Sequence, residues 1–197
     1  MIVALHMDKQ VEKRIKELMK EPIDIVPYDA EWASRYAGIE SQLKRLLPRM
    51  IAQRITHIGS TAVPGMHAKP VIDVQVEVSD MEAVCRDVVP RMEEAGYEFI
   101  WRPTMGDEAP FYAWFILRDA SGARTAHVHM VEPGQASVDR IVFRDYLREH
   151  PEELAAYAAL KEDLARTFKR DRAAYTRGKT DFINGVLLKA RALKFKR

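Results

Sequence analysis

Hydrophobic positions recur at two different periods along this chain, and the change of period divides it into segments. From Lys9 to Lys20, Val11, Ile15, Leu18 and Met19 share one helical face, which predicts an amphipathic helix stopped by Pro22. Ile23-Asp24-Ile25-Val26 alternates like a short strand. Asp29 or a neighbour is placed to cap a second helix over 31–47, closed by Pro48. The middle of the chain then runs at period two. A strand over 54–58 leads into the turn Gly59-Ser60, and 70–78 alternates with apolar residues at the even positions. A helical pattern over 80–95 ends at Gly96, a suitable C-terminal cap. Strands follow over 97–101, from Phe111 to Arg118, and over 125–131, with Ser121-Gly122 predicting a hairpin between the last two. Beyond Pro133-Gly134 the pattern is helical almost to the end, with breaks near Pro151 and Gly178. Leu154, Tyr157, Leu160, Leu164 and Phe168 form an apolar stripe there that reads as core.

This order of elements predicts an α+β chain: a mixed central sheet, flanking helices and a C-terminal helical segment over 135–197. Residues 1–22 read as an N-terminal helical extension to one domain over 23–197. The 31 basic and 29 acidic residues leave a formal net charge of +2, so there is no strong field to gather nucleic acid or an anionic membrane. The basic end, Lys194, Lys196 and Arg197, is too small to change that. Cys85 is the one cysteine, which excludes an intrachain disulfide and a cysteine-based zinc site; on a helix it reads as a small hydrophobe. The apolar opening Met1-Ile2-Val3-Ala4-Leu5 is too short for a signal core, so the expected compartment is the cytoplasm.

The candidate chemistry lies between His57 and Val78. Gly59 lets backbone approach a ligand closely, and Ser60 adds a hydroxyl at the start of about one helical turn before Pro64. That suits a phosphate, although a plain turn explains the same residues. Asp73 follows thirteen positions after Ser60, and period two puts Asp73, Gln75 and Glu77 on one strand face. A carboxylate beside such a turn could hold Mg²⁺ against substrate phosphates; the alternative is a half-exposed strand with its polar side in water. His127 and His129 also share a face. They could join Asp73 in a two-histidine, one-carboxylate metal site, act as a base, or be hydrogen-bonded strand histidines.

The run His57-Ile58-Gly59-Ser60-Thr61-Ala62-Val63-Pro64-Gly65 with Lys69-Pro70-Val71-Ile72-Asp73 resembles the GrpB family, within the nucleotidyltransferase-like superfamily. Val26-Pro27-Tyr28-Asp29-Ala30-Glu31-Trp32, Phe143-Arg144-Asp145-Tyr146-Leu147-Arg148 and Tyr175-Thr176-Arg177-Gly178-Lys179-Thr180 support it, in order, from Ile23 to Ala190. The resemblance implies a nucleotidyltransferase-like mixed sheet and a ligand that is a nucleotide or another phosphorylated small molecule. It implies phosphate contacts from Gly59, Ser60, Thr61, Lys69 and Lys179, with Asp73, His127 and His129 as candidate catalytic groups. Mg²⁺ or another divalent metal would sit on Asp73, Gln75, His127 and His129.

The chain departs from active members of that superfamily at Gln75, where the second strand carboxylate is expected. A neutral amide brings no charge to offset a divalent cation, and Glu77 lies a further two residues along. Two functions therefore follow from sequence. One is a phosphate-binding protein with weak, metal-dependent nucleotidyl transfer, in which Gln75→Asp would strengthen metal binding. The other is a non-catalytic accessory, as GrpB-like domains are fused to dephospho-CoA kinase in some bacteria. No G-x-x-x-x-G-K-[ST] is present, so the chain carries no kinase P-loop of its own. Arg144-Asp145 is expected to be an internal ion pair.

Overall fold

The computed structural model describes residues 9–18, 20–102 and 112–194. Met1 to Leu5, Met19, Phe111, Lys196 and Arg197 lie outside the described residues, as does the side chain of Val11. In chain order the elements are α1 (Lys9–Leu18), α2 (Glu31–Leu46), β1 (Ala52–Ile58), a 3₁₀ turn (Ser60–Ala62), β2 (Ile72–Val78), α3 (Met81–Ala83), a π turn (Val84–Val88), α4 (Val89–Glu94), β3 (Glu98–Arg102), β4 (Tyr112–Arg118), β5 (Arg124–Val131), α5 (Gln135–Glu149), α6 (Pro151–Thr167), α7 (Arg172–Arg177) and α8 (Thr180–Lys194). The five described strands form one mixed sheet in the order β1-β2-β5-β4-β3. Among them β2 and β5 run parallel, whereas β1–β2, β4–β5 and β3–β4 are antiparallel.

Period two sorts the residues of each strand to opposite faces. Val74, Val76, Val128, Phe115 and Met130 point to the face packed by α2, α3 and α4, where Trp32, Leu43, Val84 and Met92 complete the main core. Asp29 caps α2 as expected, its Oδ1 accepting the Glu31 N–H at 2.9 Å. The opposite face is covered too. α1 lays Ile15 and Leu18 on Ile100, Trp114 and Ile116 at one end, and α5 lies over the β1–β2 end, with α6 and α8 packed on it and on Val63 and Met66. Gln75 is therefore fully buried rather than water-facing.

Two local expectations are corrected. Ile23–Val26 makes no strand; a single bridge pairs Val26 with Ala68. Ile23 and Ile25 instead insert against Leu164, Ala165 and Tyr175, so the helices take the apolar side chains that a sheet would have used. The helix over 80–95 is interrupted by the π turn, in which Val89 N–H reaches back to Val84 O. Pro90 explains it: without an N–H it cannot bond Arg86 O, and the ladder shifts by one residue just before it. Cys85 is half-buried in that turn, where burial and the carboxylates of Asp80 and Glu82 push its thiol pKa up, the opposite of a reactive cysteine. Among the described residues no helix is long and apolar enough to cross a membrane.

Candidate functional site

The sharp turn between β1 and β2 is a glycine conformation. Gly59 has φ +72° and ψ −172°, a region closed to other residues, and it starts the 3₁₀ turn of Ser60, Thr61 and Ala62. Ile58 pairs with Asp73 across β1–β2, which brings the turn directly onto the Asp73 carboxylate. α5 then clamps the turn from outside. Arg144 donates to His57 O at 2.6 Å and pairs with Asp145, as the sequence predicts. One helical turn later Arg148 donates two hydrogen bonds to Ala62 O, at 2.9 and 2.6 Å. His57 positions the loop as well: its Nε2 lies 3.0 Å from Thr61 Oγ1, and its ring stacks on Tyr36 at 4.5 Å. Burial pushes His57 down to about 4, so it works as a neutral hydrogen-bonding ring.

The parallel register of β2 and β5 sets Asp73 beside His127 and Gln75 beside His129. Asp73 Oδ1 lies 3.0 Å from His127 Nδ1 and 3.6 Å from His129 Nε2. Burial works to raise the Asp73 pKa, but hydrogen bonds from the two histidines outweigh it and hold the carboxylate well below its usual range. The three side chains offer donor atoms within 4.8 Å of one another, a spacing that fits a single metal ion. Arg124 Nη1 faces His127 Nε2 at 3.4 Å, and a guanidinium can only donate. With Arg124 donating to Nε2, the His127 proton sits on Nδ1 and points at Asp73, and a metal ion on Nδ1 would require the other tautomer. Arg124 is itself fixed by Leu18 O at 2.9 Å and by Glu21 at 2.6 Å. Burial lowers His127 to about 4, so it stays neutral beside Asp73.

Gln75 shares the face with Asp73 but serves the helix above it. Its Nε2 donates to Ser137 O at 3.1 Å and its Oε1 accepts from Arg140 at 3.3 Å, which holds the start of α5 on the sheet. Glu77 Oε1 accepts from the Gln75 amide at 3.5 Å.

The structure does bring together Gly59, Ser60, Thr61, Lys69, Asp73, His127 and Lys179, around a pocket of about 140 Å³. It adds Val71 ahead of β2, Tyr157 and Lys161 from α6, and Tyr175 from α7, none of which the sequence pattern names as a site residue. Lys161 is 2% exposed, with its Nζ 3.0 Å from Ser60 Oγ and hydrogen-bonded to His67 O. Each ammonium lies over an aromatic face: Lys161 over Tyr157 at 5.0 Å, Lys179 and Lys69 over Tyr175 at 4.5 and 5.7 Å. His67 is partly exposed and meets Glu162 at 2.6 Å. A signal for Lys161 was available. It follows Tyr157 by one turn and precedes Leu164 by three residues, on the stripe where a core reading requires an apolar side chain.

Three lysines and one carboxylate leave the pocket positively charged. Burial, helped by its cationic neighbours, lowers Lys161 to about 7 and Lys69 to about 8; burial alone brings Lys179 to about 8. Unfolded, each returns to 10.5, so between these values the unfolded chain binds more protons than the folded one. Stability is expected to rise as pH increases from 7 toward 10, by up to about 1.4 kcal/mol per pH unit for each lysine, less for the two that are partly exposed. The rise should end where the unfolded tyrosines ionise, since Tyr97, Tyr157 and Tyr175 are held protonated in the fold. Denaturant midpoints at pH 7, 8 and 9 test this; a flat or falling series would mean that the lysines are ordinary, solvated ones.

A sequence model described as GrpB protein matches residues 22–189. The chain is 38% identical over 171 residues to a UPF0157 protein of Pseudomonas aeruginosa, covering 86% of this chain and 68% of that protein. It is 36% identical over 166 residues to UPF0157 protein YqkA of Bacillus subtilis, covering 83% of this chain but 46% of that one. A dephospho-CoA kinase of Mycolicibacterium paratuberculosis is 30% identical over 183 residues, 81% of this chain and 44% of the kinase. Among solved structures, GrpB from Enterococcus faecalis superposes with a TM-score of 0.72 at 29% identity, covering 87% of this chain and 99% of that chain. The Gly-Ser turn, the acidic strand and the C-terminal helices that close over them, up to residue 189 of α8, lie inside the matched span, and this chain belongs to the GrpB family.

Proposed function

We propose that the pocket binds the phosphate groups of a small phosphorylated ligand, nucleotides included, with lysine ammonium groups supplying the counter-charge. The observation that carries this is the convergence of Lys69, Lys161 and Lys179 on Ser60 and Gly59 around about 140 Å³. That volume is below the roughly 300 Å³ at which whole drug-sized ligands begin to fit, so phosphate enters and the remainder of the ligand stays outside. Lysines bind phosphate as point charges, and a divalent cation would have to join the ammonium groups of Lys69 and Lys179 against the single charge of Asp73. A second reading, an accessory module without chemistry of its own, draws on Gln75: its amide is committed to α5, which leaves Asp73 as the carboxylate of the pocket.

Thermal shift of the chain with inorganic phosphate, pyrophosphate and nucleoside triphosphates, with and without Mg²⁺, Mn²⁺ or Zn²⁺, tests the proposal. At a hundredfold excess over Kd a ligand adds about 2.7 kcal/mol, a rise of several degrees for a chain this size. Asp73→Asn should tighten the binding, because it removes the one anion, and Lys179→Met should weaken it. No shift with any phosphate sinks the proposal. A shift that needs a divalent ion and vanishes in Asp73→Asn would replace it with a metal-centred site.

A further inference from the structure

We propose that Ser60 is a nucleophile and Lys161 its general base, so that a phosphoryl group brought into the pocket is transferred to the Ser60 hydroxyl. This rests on the phosphate-binding reading and goes beyond it, because binding alone needs only cations and donors. Lys161 Nζ is 3.0 Å from Ser60 Oγ, and both line the pocket. The other hydrogen-bond partner of Nζ is the carbonyl of His67, to which it donates. At rest Nζ donates to both Ser60 Oγ and His67 O; as a neutral amine it keeps the bond to His67 O and turns its lone pair to the Ser60 O–H. The charged neighbours favour that neutral form. Lys179 and Lys69 add positive charge across the pocket; Glu162, the next residue on α6, opposes them in part, and its carboxylate meets His67 at 2.6 Å. Asp73 is held by His127 and His129 on the sheet side, and the Tyr157 ring face lies 5.0 Å from Nζ without offering an anion. Consistent with this, burial lowers Lys161 to about 7, where an amine is both available and basic enough to act.

In the step, the Ser60 Oγ–H proton passes to Lys161 Nζ as Oγ forms a bond to phosphorus. The bond from phosphorus to the leaving oxygen breaks, and its electron pair departs on that oxygen. Lys69 and Lys179 neutralise the phosphoryl oxygens during transfer. The products are phosphoserine and the departed group, and the ammonium formed on Lys161 supplies the proton that the departing oxygen takes up. No oxidant or reductant is involved.

The test incubates the chain with acetyl phosphate, an activated phosphoryl donor, and reads intact mass and the modified peptide. The expected result is one phosphoryl group on Ser60, formed at a rate that increases with pH through about 7, and none in Ser60→Ala. Lys161→Met should slow labelling by about 100-fold or more, the usual reach of a general base. Lys161→Arg separates loss of the base from loss of the fold: a guanidinium cannot accept the proton, and the thermal midpoint of the variant without phosphate reports whether it folds. Labelling of Lys161→Arg at the wild-type rate overturns the proposal, as does an unlabelled wild type that still shows the phosphate shift. In that last case the binding reading survives alone; loss of the phosphate shift as well would remove both.

Discussion

Gly59→Ala is expected to destabilise the protein by about 2–4 kcal/mol, the sum of a glycine-only backbone conformation and an overpacked contact. The backbone at Gly59 sits at φ +72°, and a Cβ there would lie 2.7 Å from Asp73 Oδ2. Neither group can retreat cheaply. Asp73 is fixed by two histidines, and the turn is clamped by Arg144 and Arg148 through the carbonyls on either side of it. For a chain of this length the loss corresponds to a drop in Tm of roughly 5–15 °C, together with weakened phosphate binding. Gly65→Ala is the control. Gly65 has φ +79°, but a Cβ there would meet nothing within 4 Å, so it carries the backbone strain without the contact. Equal losses for the two variants would show that the close approach of turn and carboxylate contributes nothing.

Gln75→Asp should cost on the order of 3 kcal/mol and bring no gain in divalent-ion affinity. Sequence alone argues the reverse, since the substitution completes a carboxylate pair on β2. In the fold, however, the side chain at 75 is wholly buried beneath α5. Its amide donates to Ser137 O, and a carboxylate there would face that carbonyl with no proton to offer. Glu77 adds like charge, 3.5 Å from the present amide nitrogen. Arg140 supplies partial compensation. Denaturant midpoints and calorimetric titration with Mg²⁺ and Mn²⁺ check both halves; a variant of wild-type stability that gains metal binding would sink the argument.

The strands, the hairpin at Ser121-Gly122 and the Gly-Ser turn were legible in the sequence because each rests on local rules: period two, turn residues and glycine freedom. The pairing of Asp73 with His127 was half legible. Period two supplies the faces, but the parallel register that makes the two residues neighbours is a property of sheet order. The use of Gln75 was hidden for a related reason, since only tertiary structure shows that a helix covers that face. Lys161 was the largest omission. Its stripe on α6 reads as core, and for Tyr157, Leu164 and Ala165 it is core; a lysine among them is visible as an exception only when exceptions to the stripe are sought. The π turn was signalled by Pro90 in the middle of a helical pattern.

The contributors to the pocket are spread unevenly along the chain. Turn and carboxylate come from residues 59–73, whereas Lys161, Tyr175 and Lys179 come from α6 and beyond. The Gly-Ser turn with its carboxylate and most of the charge that would select a ligand are therefore carried by separate parts of the chain. Two relatives could share the first without alteration and differ in ligand through the second, and a chimera joined within α5 would carry one preference into the frame of the other.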